Sequence, residues 1–380
     1  MPRPPARVGS IDRIPAAVFS PAGAPLGDAP DVVPLHVGDT WLPPIPGARM
    51  EDLREADHPG LHRYVEPRGL PALVEAVSEK LRAHNGIACD PESVVITAGA
   101  TGALACAVAV CVEPEEEVLI LAPFWPLIRG IVQTFRGRPV EVPFFDRVED
   151  ADQAVAAIEE KISPRTAALY VSTPSNPTGR ILPQAWLVRL AELARRHNLW
   201  LLSDEVYEDY VYRGKHVSIA RFAPERTVSV FSFSKAYGMA GHRVGYLCAP
   251  TEFAAAVEKV VTHTFYHAPT AGQEAALRAL EIGGPWLGEA RRAYREAGED
   301  AAATLRLPQP EGGTFLFLDL RGHAGGVKAF LGDALREGVA LARGAACGQA
   351  YQEFARMSFT AAPPDQVAAA VRRLAPLLGH

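Results

Sequence analysis

The stretch FSFSKAYGMAGHRVGYL, residues 231–247, surrounds one lysine, Lys235, with small hydroxyl residues on one side and a glycine-rich turn on the other. Phe233 lies two residues before the lysine and Met-Ala-Gly follows at residues 239–241, so these surroundings suit a solvated surface lysine poorly. The β-branched run at residues 227–232 is typical of a buried strand. The sequence therefore predicts a lysine at the end of a strand. It is either a chance loop residue or one whose amine is held for chemistry.

Strands and helices alternate along most of the chain before this stretch. Apolar, β-branched runs predict further strands at residues 94–97, 118–121, 140–142, 167–172 and 199–203. Helical periodicity predicts helices at residues 70–83, 103–112, 151–162 and 183–197. Such an alternation predicts an α/β protein, namely a three-layer α/β/α sandwich built on a mostly parallel mixed sheet.

The pattern changes after about residue 275. A helical region rich in Ala, Arg and Glu runs to about residue 306, and strands are predicted at residues 314–320 and 356–360, with helices at residues 326–337 and 364–378. These segments predict a smaller α/β C-terminal domain. We expect an N-terminal arm (1–45) that packs with this small domain, a large domain (46–275) and the small domain itself (276–380).

Composition excludes several classes of protein. A net charge of −6 over 380 residues, with no basic cluster, gives no reason to expect nucleic acid or an anionic membrane as partner. The longest apolar runs are too short to span a bilayer, and the N-terminus lacks the apolar core of a signal peptide. An odd number of cysteines, five, without a C-x-x-C pair fits buried thiols in a reducing compartment, and we expect a cytoplasmic protein with no metal site.

Residues able to do chemistry follow five of the predicted strands, where open α/β sheets bind their ligands. They are a small-residue turn that suits an anion (Ala100, Thr101), an aromatic plate (Trp125), an amide (Asn176), a carboxylate with a tyrosine (Asp204, Tyr207), and the lysine with hydroxyls and an arginine (Ser232, Ser234, Lys235, Arg243). Each has an ordinary structural explanation when taken singly, such as a helix start, a core aromatic, an Asn-Pro turn or a helix cap. Together they favour one crevice for pyridoxal 5′-phosphate, whose aldehyde needs an amine and whose ring nitrogen needs a carboxylate.

These residues resemble the motifs of the class I/II aminotransferases, the fold-type I pyridoxal-phosphate enzymes of the aspartate aminotransferase superfamily. The resemblance spans roughly residue 35 to the end. It is most specific in the pattern S-x-S-K-x-x-G-x-A-G-x-R-x-G that begins at Ser232, and N-P-x-G from Asn176 and D-x-x-Y from Asp204 support it.

The resemblance implies a role for each of these residues. Lys235 forms the Schiff base and then moves a proton, Asp204 pairs with the ring nitrogen, and the remaining contacts are with the phenolate oxygen (Asn176, Tyr207), the ring face (Trp125) and the phosphate (Ala100, Thr101, Ser232, Ser234, Arg243). Tyr64, in Y-x-x-P-x-G-L, resembles a tyrosine that reaches the phosphate of the neighbouring subunit, which implies a homodimer with shared active sites.

Substrate contacts are implied by the same resemblance. Arg356 resembles the small-domain arginine whose planar fork binds the α-carboxylate of the substrate, although a surface charge on an edge strand is the alternative. Asn176 is expected to contact the substrate as well as the cofactor, and Gly38 and His263 lie in segments expected to line the substrate side. A histidine where relatives selecting dicarboxylates have an arginine argues against aspartate as the donor. Three aromatics, Trp41, Tyr266 and Phe19, suggest an aromatic or apolar substrate side chain, or else packing at the dimer interface.

The sequence thus predicts an aminotransferase that moves an amino group between an L-amino acid and a 2-oxo acid by a ping-pong cycle. One alternative is another reaction on the same scaffold, that of a β-lyase, decarboxylase, cyclase or oxidase. The other is a non-catalytic ligand-sensing domain of a transcription regulator. It is disfavoured because too few residues precede the sheet domain for a DNA-binding module and because the chain is acidic.

Overall fold

The computed structural model describes residue 9, residues 11–15 and residues 32–379. Its larger sheet has seven strands: β1 (Val94–Thr97), β2 (Glu117–Ala122), β3 (Arg138–Pro143), β4 (Thr166–Ser172), β5 (Trp200–Asp204), β6 (Thr227–Ser232) and β7 (Gly245–Cys248). They lie in the order β1-β7-β6-β5-β4-β2-β3. All neighbouring strands run parallel except β7, which is antiparallel to both β1 and β6. Alternate strand residues face opposite layers, so both faces of the sheet must be covered.

Helices cover both faces. Those of the large sheet are α1 (Pro71–Lys80), α2 (Gly99–Cys111), α3 (Leu127–Thr134), α4 (Ala151–Glu159), α5 (Gln184–Arg196), α6 (Phe233–Ala236), α7 (Thr251–Thr264) and α8 (Thr270–Ile282). Helices α2, α3 and α7 share one apolar core with one sheet face, while α4 and α5, and separately α1 and α8, form cores with the other. The predicted three-layer α/β/α sandwich with a mostly parallel mixed sheet is therefore confirmed.

A second, three-stranded sheet lies in the C-terminal part of the chain. Its elements are α9 (Gly284–Thr304), β8 (Phe315–Asp319), α10 (Gly326–Arg336), β9 (Ala342–Arg343), β10 (Phe354–Ser358) and α11 (Pro364–Leu374), and its strands are antiparallel in the order β8-β10-β9. Its apolar core is separate from those of the large sheet. Leu35 belongs to this small core, and Val33 pairs with Val339, so the end of the N-terminal arm packs here.

Two details differ from the predictions. Strand β7 was not predicted, because four residues that begin with glycine give too short a periodic signal. The helical region predicted from about residue 275 to 306 consists of two helices, α8 and α9, which are separated at Gly283, and Pro285 lies in the first turn of α9. Ala275, Ala276 and Ala279 of α8 pack with the large sheet.

Residues 11–13 form a short 3-10 helix that contacts α3 of the large sheet.

Candidate active site

Lys235 lies in the four-residue helix α6, directly after the carboxyl end of β6. Its Nζ donates a hydrogen bond to the backbone carbonyl of Gly38. Burial lowers the pKa of this amine. The carboxylate of Asp39 opposes the shift, and the guanidinium groups of Arg356 and Arg243 add to it. A lysine held in this way is more readily neutral, which is the form that attacks a carbonyl or accepts a proton.

Asp204 ends β5 and is buried. Its Oδ2 accepts a hydrogen bond from the hydroxyl of Tyr170 at 2.5 Å, and its Oδ1 accepts one from the backbone nitrogen of Val206 at 3.3 Å. Burial raises the pKa of Asp204 to about 6 despite these donors, and the neighbouring Glu205 adds to the rise. A buried carboxylate of this kind gains most from a cationic partner on its remaining open side.

Asn176 and Tyr207 connect the large sheet to Arg356. Tyr207 is buried and hydrogen-bonds the side chain of Asn176, and burial raises the pKa of its phenol. Arg356 of β10 donates from Nη1 to Oδ1 of Asn176 at 3.1 Å and from Nη2 to the carbonyl of His36 at 3.0 Å. Its guanidinium lies over the ring of Phe315, 4.4 Å from the centroid, and the residue is only 2% exposed. The arginine is thus buried and oriented by its contact with Asn176, which lines the cavity, and it is not a surface charge.

The start of α2 forms an anion cradle together with Arg243. Gly99 has a φ of +71°, and a Cβ built on it would lie 2.7 Å from Nη2 of Arg243, so only glycine lets the guanidinium approach this turn. Gly245 of β7 is as closely confined, because a Cβ there would lie 2.6 Å from the backbone nitrogen of Ala100. Ser232 caps α6 by accepting a hydrogen bond from the nitrogen of Ser234 at 3.1 Å. Free amides, a hydroxyl and an arginine at one helix start suit a phosphate.

One cavity unites these groups. The residues that line it are Ala100, Thr101, Leu104, Trp125, Asn176, Asp204, Val206, Tyr207, Ser232, Ser234, Lys235, Ala240 and Arg243. They include every predicted cofactor residue except Tyr64. That side chain is 83% exposed on the surface of the single chain, and its ring makes edge contacts with Tyr266 and His267.

The predicted substrate residues are less uniformly placed. Gly38 lies beside the cavity through its bond to Lys235, and a Cβ on it would lie 2.7 Å from Cζ of Phe315. His263 is in the last turn of α7, exposed, and not among the residues that line the cavity of the single chain. Trp41 packs against the core of the small sheet, and Phe19 lies outside the described residues.

Three residues of the site were missed by sequence reasoning: Tyr170, His36 and Phe315. A signal for Tyr170 was present, since a tyrosine in the buried part of a strand needs a partner for its hydroxyl. In β4 it shares a face with Ser172, which pairs with Asp204 of β5. No local pattern indicates His36, because it contributes its backbone carbonyl.

The model of the family "Aminotransferase class I and II" matches residues 30–374. The chain belongs to this family. The predicted family, the enzyme class and the aminotransferase function are thereby confirmed, and family members act on amino acids and keto acids. None of the helices in residues 9, 11–15 and 32–379 combines the length and apolar character that crossing a bilayer requires.

Several named proteins are similar over most of this chain. The aspartate/prephenate aminotransferase of Thermus thermophilus is 35% identical over 300 residues, which cover 76% of this chain and 77% of that protein. The arginine–pyruvate transaminase of Pseudomonas aeruginosa is 34% identical, covering 84% and 83%. Among solved structures, Thermus thermophilus aspartate aminotransferase with maleate matches with a TM-score of 0.84 at 33% identity, covering 91% and 92%. The aromatic aminotransferase of Pyrococcus horikoshii matches with a TM-score of 0.85 at 30% identity, covering 92% and 96%.

Proposed function

We propose that this aminotransferase binds pyridoxal 5′-phosphate in the cavity and uses it to move an amino group between an L-amino acid and a 2-oxo acid in a ping-pong cycle. The observation that carries the proposal is that one cavity contains an acid and an amine, each with a pKa shifted toward favouring its neutral form. Asp204 is a buried acid whose pKa is raised, and Lys235 is an amine whose pKa is lowered. The first suits a ring cation and the second suits an aldehyde, and the cradle at Gly99 and Arg243 suits a phosphate. The residues present fit the cofactor.

When bound, the cofactor supplies an aldehyde that bonds to primary amines and a protonated ring that withdraws electrons from them. Asp204 holds the proton on the ring nitrogen, and Asn176 and Tyr207 donate hydrogen bonds to the phenolic oxygen. Trp125 covers the ring face and excludes water. The neutral amine of Lys235 would accept the proton from the substrate α-carbon and donate it to the cofactor carbon that carried the aldehyde.

The phosphate is held by the backbone amides of Ala100 and Thr101 in the first turn of α2. The hydroxyls of Ser232 and Ser234 and the guanidinium of Arg243 complete its binding site. Because the phosphate is held there, the cofactor ring is kept in position beside Lys235 throughout the reaction.

Arg356 binds the substrate α-carboxylate through N–H groups of its planar guanidinium, and Gly38 leaves space beside it. The burial of the arginine and its contacts with Asn176 and Phe315 support this role, since they hold the fork in place before substrate arrives. We further propose that β10 brings this arginine from a small domain, with the arm 1–45 packed partly on it. The break between α8 and α9 suggests a boundary with the large domain at Gly283 instead of residue 275.

The enzyme functions as a cytoplasmic homodimer in this proposal. Tyr64 reaches the phosphate of the neighbouring subunit and His263 approaches the neighbouring substrate. The exposed rings of Tyr64 and Tyr266, 83% and 43% exposed, support a face that is covered by a second copy. The amino donor is apolar or aromatic, and the exposed ring of Tyr266, which contacts Tyr64, supports this choice.

The decisive experiment replaces Lys235 by Ala and measures covalent attachment and turnover. We expect borohydride reduction to fix the cofactor to the peptide of Lys235 in the native enzyme and to no peptide in Lys235→Ala, with turnover lower by about 10⁴-fold or more. Lys259→Ala on the exposed side of α7 is the matched control and should behave like the native enzyme. Normal turnover in Lys235→Ala would rule out the proposed role.

A single-turnover assay separates transamination from its alternatives. One amino acid alone should convert the cofactor to its amine form and release one equivalent of 2-oxo acid. Release of pyruvate and ammonia, or of carbon dioxide, would instead identify a β-lyase or a decarboxylase, and ligand binding without any turnover would identify a sensing domain.

The shared site is tested by mixing two inactive variants. If Tyr64 serves the neighbouring subunit, a hybrid of Lys235→Ala with Tyr64→Ala contains one site with both lesions and one intact site. Activity should therefore reappear on mixing after dissociation and reassociation. If activity stays at the level of the separate variants, the two residues belong to the same chain's site.

A further inference from the structure

Tyr170 is a buried polar residue beside the site to which the proposed function assigns no role. It lies in the middle of β4, with no exposed surface, and its hydroxyl donates to Oδ2 of Asp204 at 2.5 Å. Burial and the Asp204 carboxylate both raise the pKa of this phenol, so it remains a neutral donor. It does not line the cavity itself. A hydroxyl that is buried beside a carboxylate and away from the ligand acts on the ligand only through that carboxylate.

We propose that Tyr170 is a positioning residue that fixes the Asp204 carboxylate for the cofactor ring. The proposal rests on the proposed function. By occupying Oδ2, the tyrosine leaves Oδ1, whose contact with the nitrogen of Val206 is longer at 3.3 Å, available to the ring nitrogen. It also lets the carboxylate stay ionised in a buried place, because a hydrogen bond to the charged form favours that form.

Tyr170→Phe removes the hydroxyl and keeps the ring in its packing. We expect Tyr170→Phe to bind pyridoxal phosphate about 10-fold or more weakly than the native chain does, because a hydrogen bond to a charged group is lost. In an Asp204→Asn background the same change should have little further effect. Tyr351→Phe is the matched control, since that buried hydroxyl also donates to an aspartate, Asp146, at 2.5 Å but lies away from the cavity.

The cofactor-free protein offers a second readout. The groups that face Asp204 are the neutral phenols of Tyr170 and Tyr207 and the carboxylate of Glu205, which is ionised because its partners, His216 among them, lower its pKa. Losing the tyrosine hydroxyl should raise the pKa of Asp204 further. The melting temperature of Tyr170→Phe should therefore be closest to native near pH 4 and fall progressively below it above pH 6.

The outcomes separate the two proposals. If the native chain fails to bind pyridoxal phosphate, the proposed function fails. If the native chain binds it and Tyr170→Phe binds it equally well, with a melting temperature that differs from native by the same amount at every pH, the positioning role fails and the function stands.

A second observation, independent of the cofactor, concerns Cys89 and Cys248. Their sulfurs lie 3.1 Å apart, and the residues are 4% and 5% exposed. Cys89 is in the loop before β1, and Cys248 ends β7 opposite Val94. The pair therefore lies at the end of the sheet away from Gly245 and the cavity. The two thiols are close enough to join with a small movement of their side chains.

We propose that Cys89 and Cys248 form a disulfide on exposure to a small-molecule disulfide such as glutathione disulfide. Cys89 attacks first, because its hydrogen bonds and the nearby Arg82 lower its pKa, whereas the pKa of Cys248 is raised by its bond to Cys89 and by burial. Its thiolate forms a mixed disulfide and releases one thiol. Cys248 then loses its proton, attacks the sulfur of Cys89 and releases the second thiol. Two protein thiols are oxidised, and one external disulfide is reduced to two thiols.

Counting thiols tests this proposal on the folded chain. Glutathione disulfide should reduce the number of free thiols from five to three, link the peptides that contain Cys89 and Cys248, and raise the melting temperature. Cys89→Ser and Cys248→Ser should each abolish the link, whereas the control Cys111→Ser should retain it. Five free thiols after prolonged oxidation, or a link that forms only in urea, would contradict the proposal.

Discussion

Two groups of residues at the cavity use the chain differently. The sheet wall consists of Asn176, Asp204, Ser232, Lys235 and Arg243, which line the cavity beside the ends of neighbouring strands of one sheet. The small-domain wall consists of His36, Gly38, Phe315 and Arg356, which come from distant segments of the chain and reach the cavity through contacts with two of its lining residues, Asn176 and Lys235. Sheet hydrogen bonding sets the first wall, and side-chain packing sets the second. We therefore expect substitutions in the sheet wall to affect the cofactor, and those in the small-domain wall to affect the substrate.

The largest separation of the two walls is expected for Arg356→Leu. Loss of a buried, charged carboxylate ligand should lower kcat/KM for amino acids about 100-fold or more, while the affinity for the cofactor stays near native. Amines that lack a carboxylate should lose almost nothing, which makes them the control substrate. Equal losses for both substrate types would mean that Arg356 acts on the fold and not on the carboxylate.

Asp204→Asn is the reciprocal test in the sheet wall. The affinity for pyridoxal phosphate should fall about 10-fold to 100-fold, because a neutral amide cannot stabilise the ring cation. Equilibrium dialysis measures this affinity. If the variant keeps native affinity for the cofactor and loses affinity only for the amino acid, the assignment of cofactor binding to the sheet wall is wrong.

The pH dependence of the cofactor-free protein sharpens the same point. The pKa of Asp204 is about 6 when folded and about 3.9 when unfolded, so the folded state binds its proton more tightly. This group's contribution to stability is therefore fully present below about pH 4 and is lost as the pH rises through 6. The free energy of unfolding, measured from pH 4 to 7 by urea titration, should show this loss in the native protein. The loss should be smaller in Asp204→Asn.

Gly38→Ala tests the packing of the small-domain wall. A Cβ at this position would lie 2.7 Å from Cζ of Phe315, so the ring beneath Arg356 must move. We expect a loss of about 1–3 kcal/mol in the free energy of unfolding and a raised KM for the amino acid. If neither the stability nor the KM changes, the ring of Phe315 moves aside at no cost in free energy.

The smallest effect is expected for Gly288→Ala, which serves as the glycine control. Gly288 lies inside α9, and a Cβ there meets nothing within 4 Å. Replacing it should stabilise the protein by about 0.5–1 kcal/mol through helix propensity and leave both walls unchanged. A loss of stability would indicate a neighbour that comes close to this helix.

The same contrast explains what the sequence could predict. Lys235, Asp204 and Asn176 each follow a recognisable strand within a few residues, so a local pattern and the rule for ligand sites in α/β sheets predict where they meet. Tyr170 lies inside a strand, where the search for strand ends does not look, although its burial required a partner. The neighbours of Arg356 could not be predicted, because the contact with His36 joins residues 320 positions apart through a backbone carbonyl. Strand β7 is too short to give a periodic pattern, and its reversed direction depends on pairing with two strands at once.

The confinement of Gly245 has a mechanical consequence. Since main chain touches main chain between β7 and the start of α2, and β7 also pairs with β6, which leads into Lys235, backbone contacts set the distance from the first turn of α2 to the main chain of Lys235. Evolution can therefore exchange the side chains that line the cavity without altering that distance.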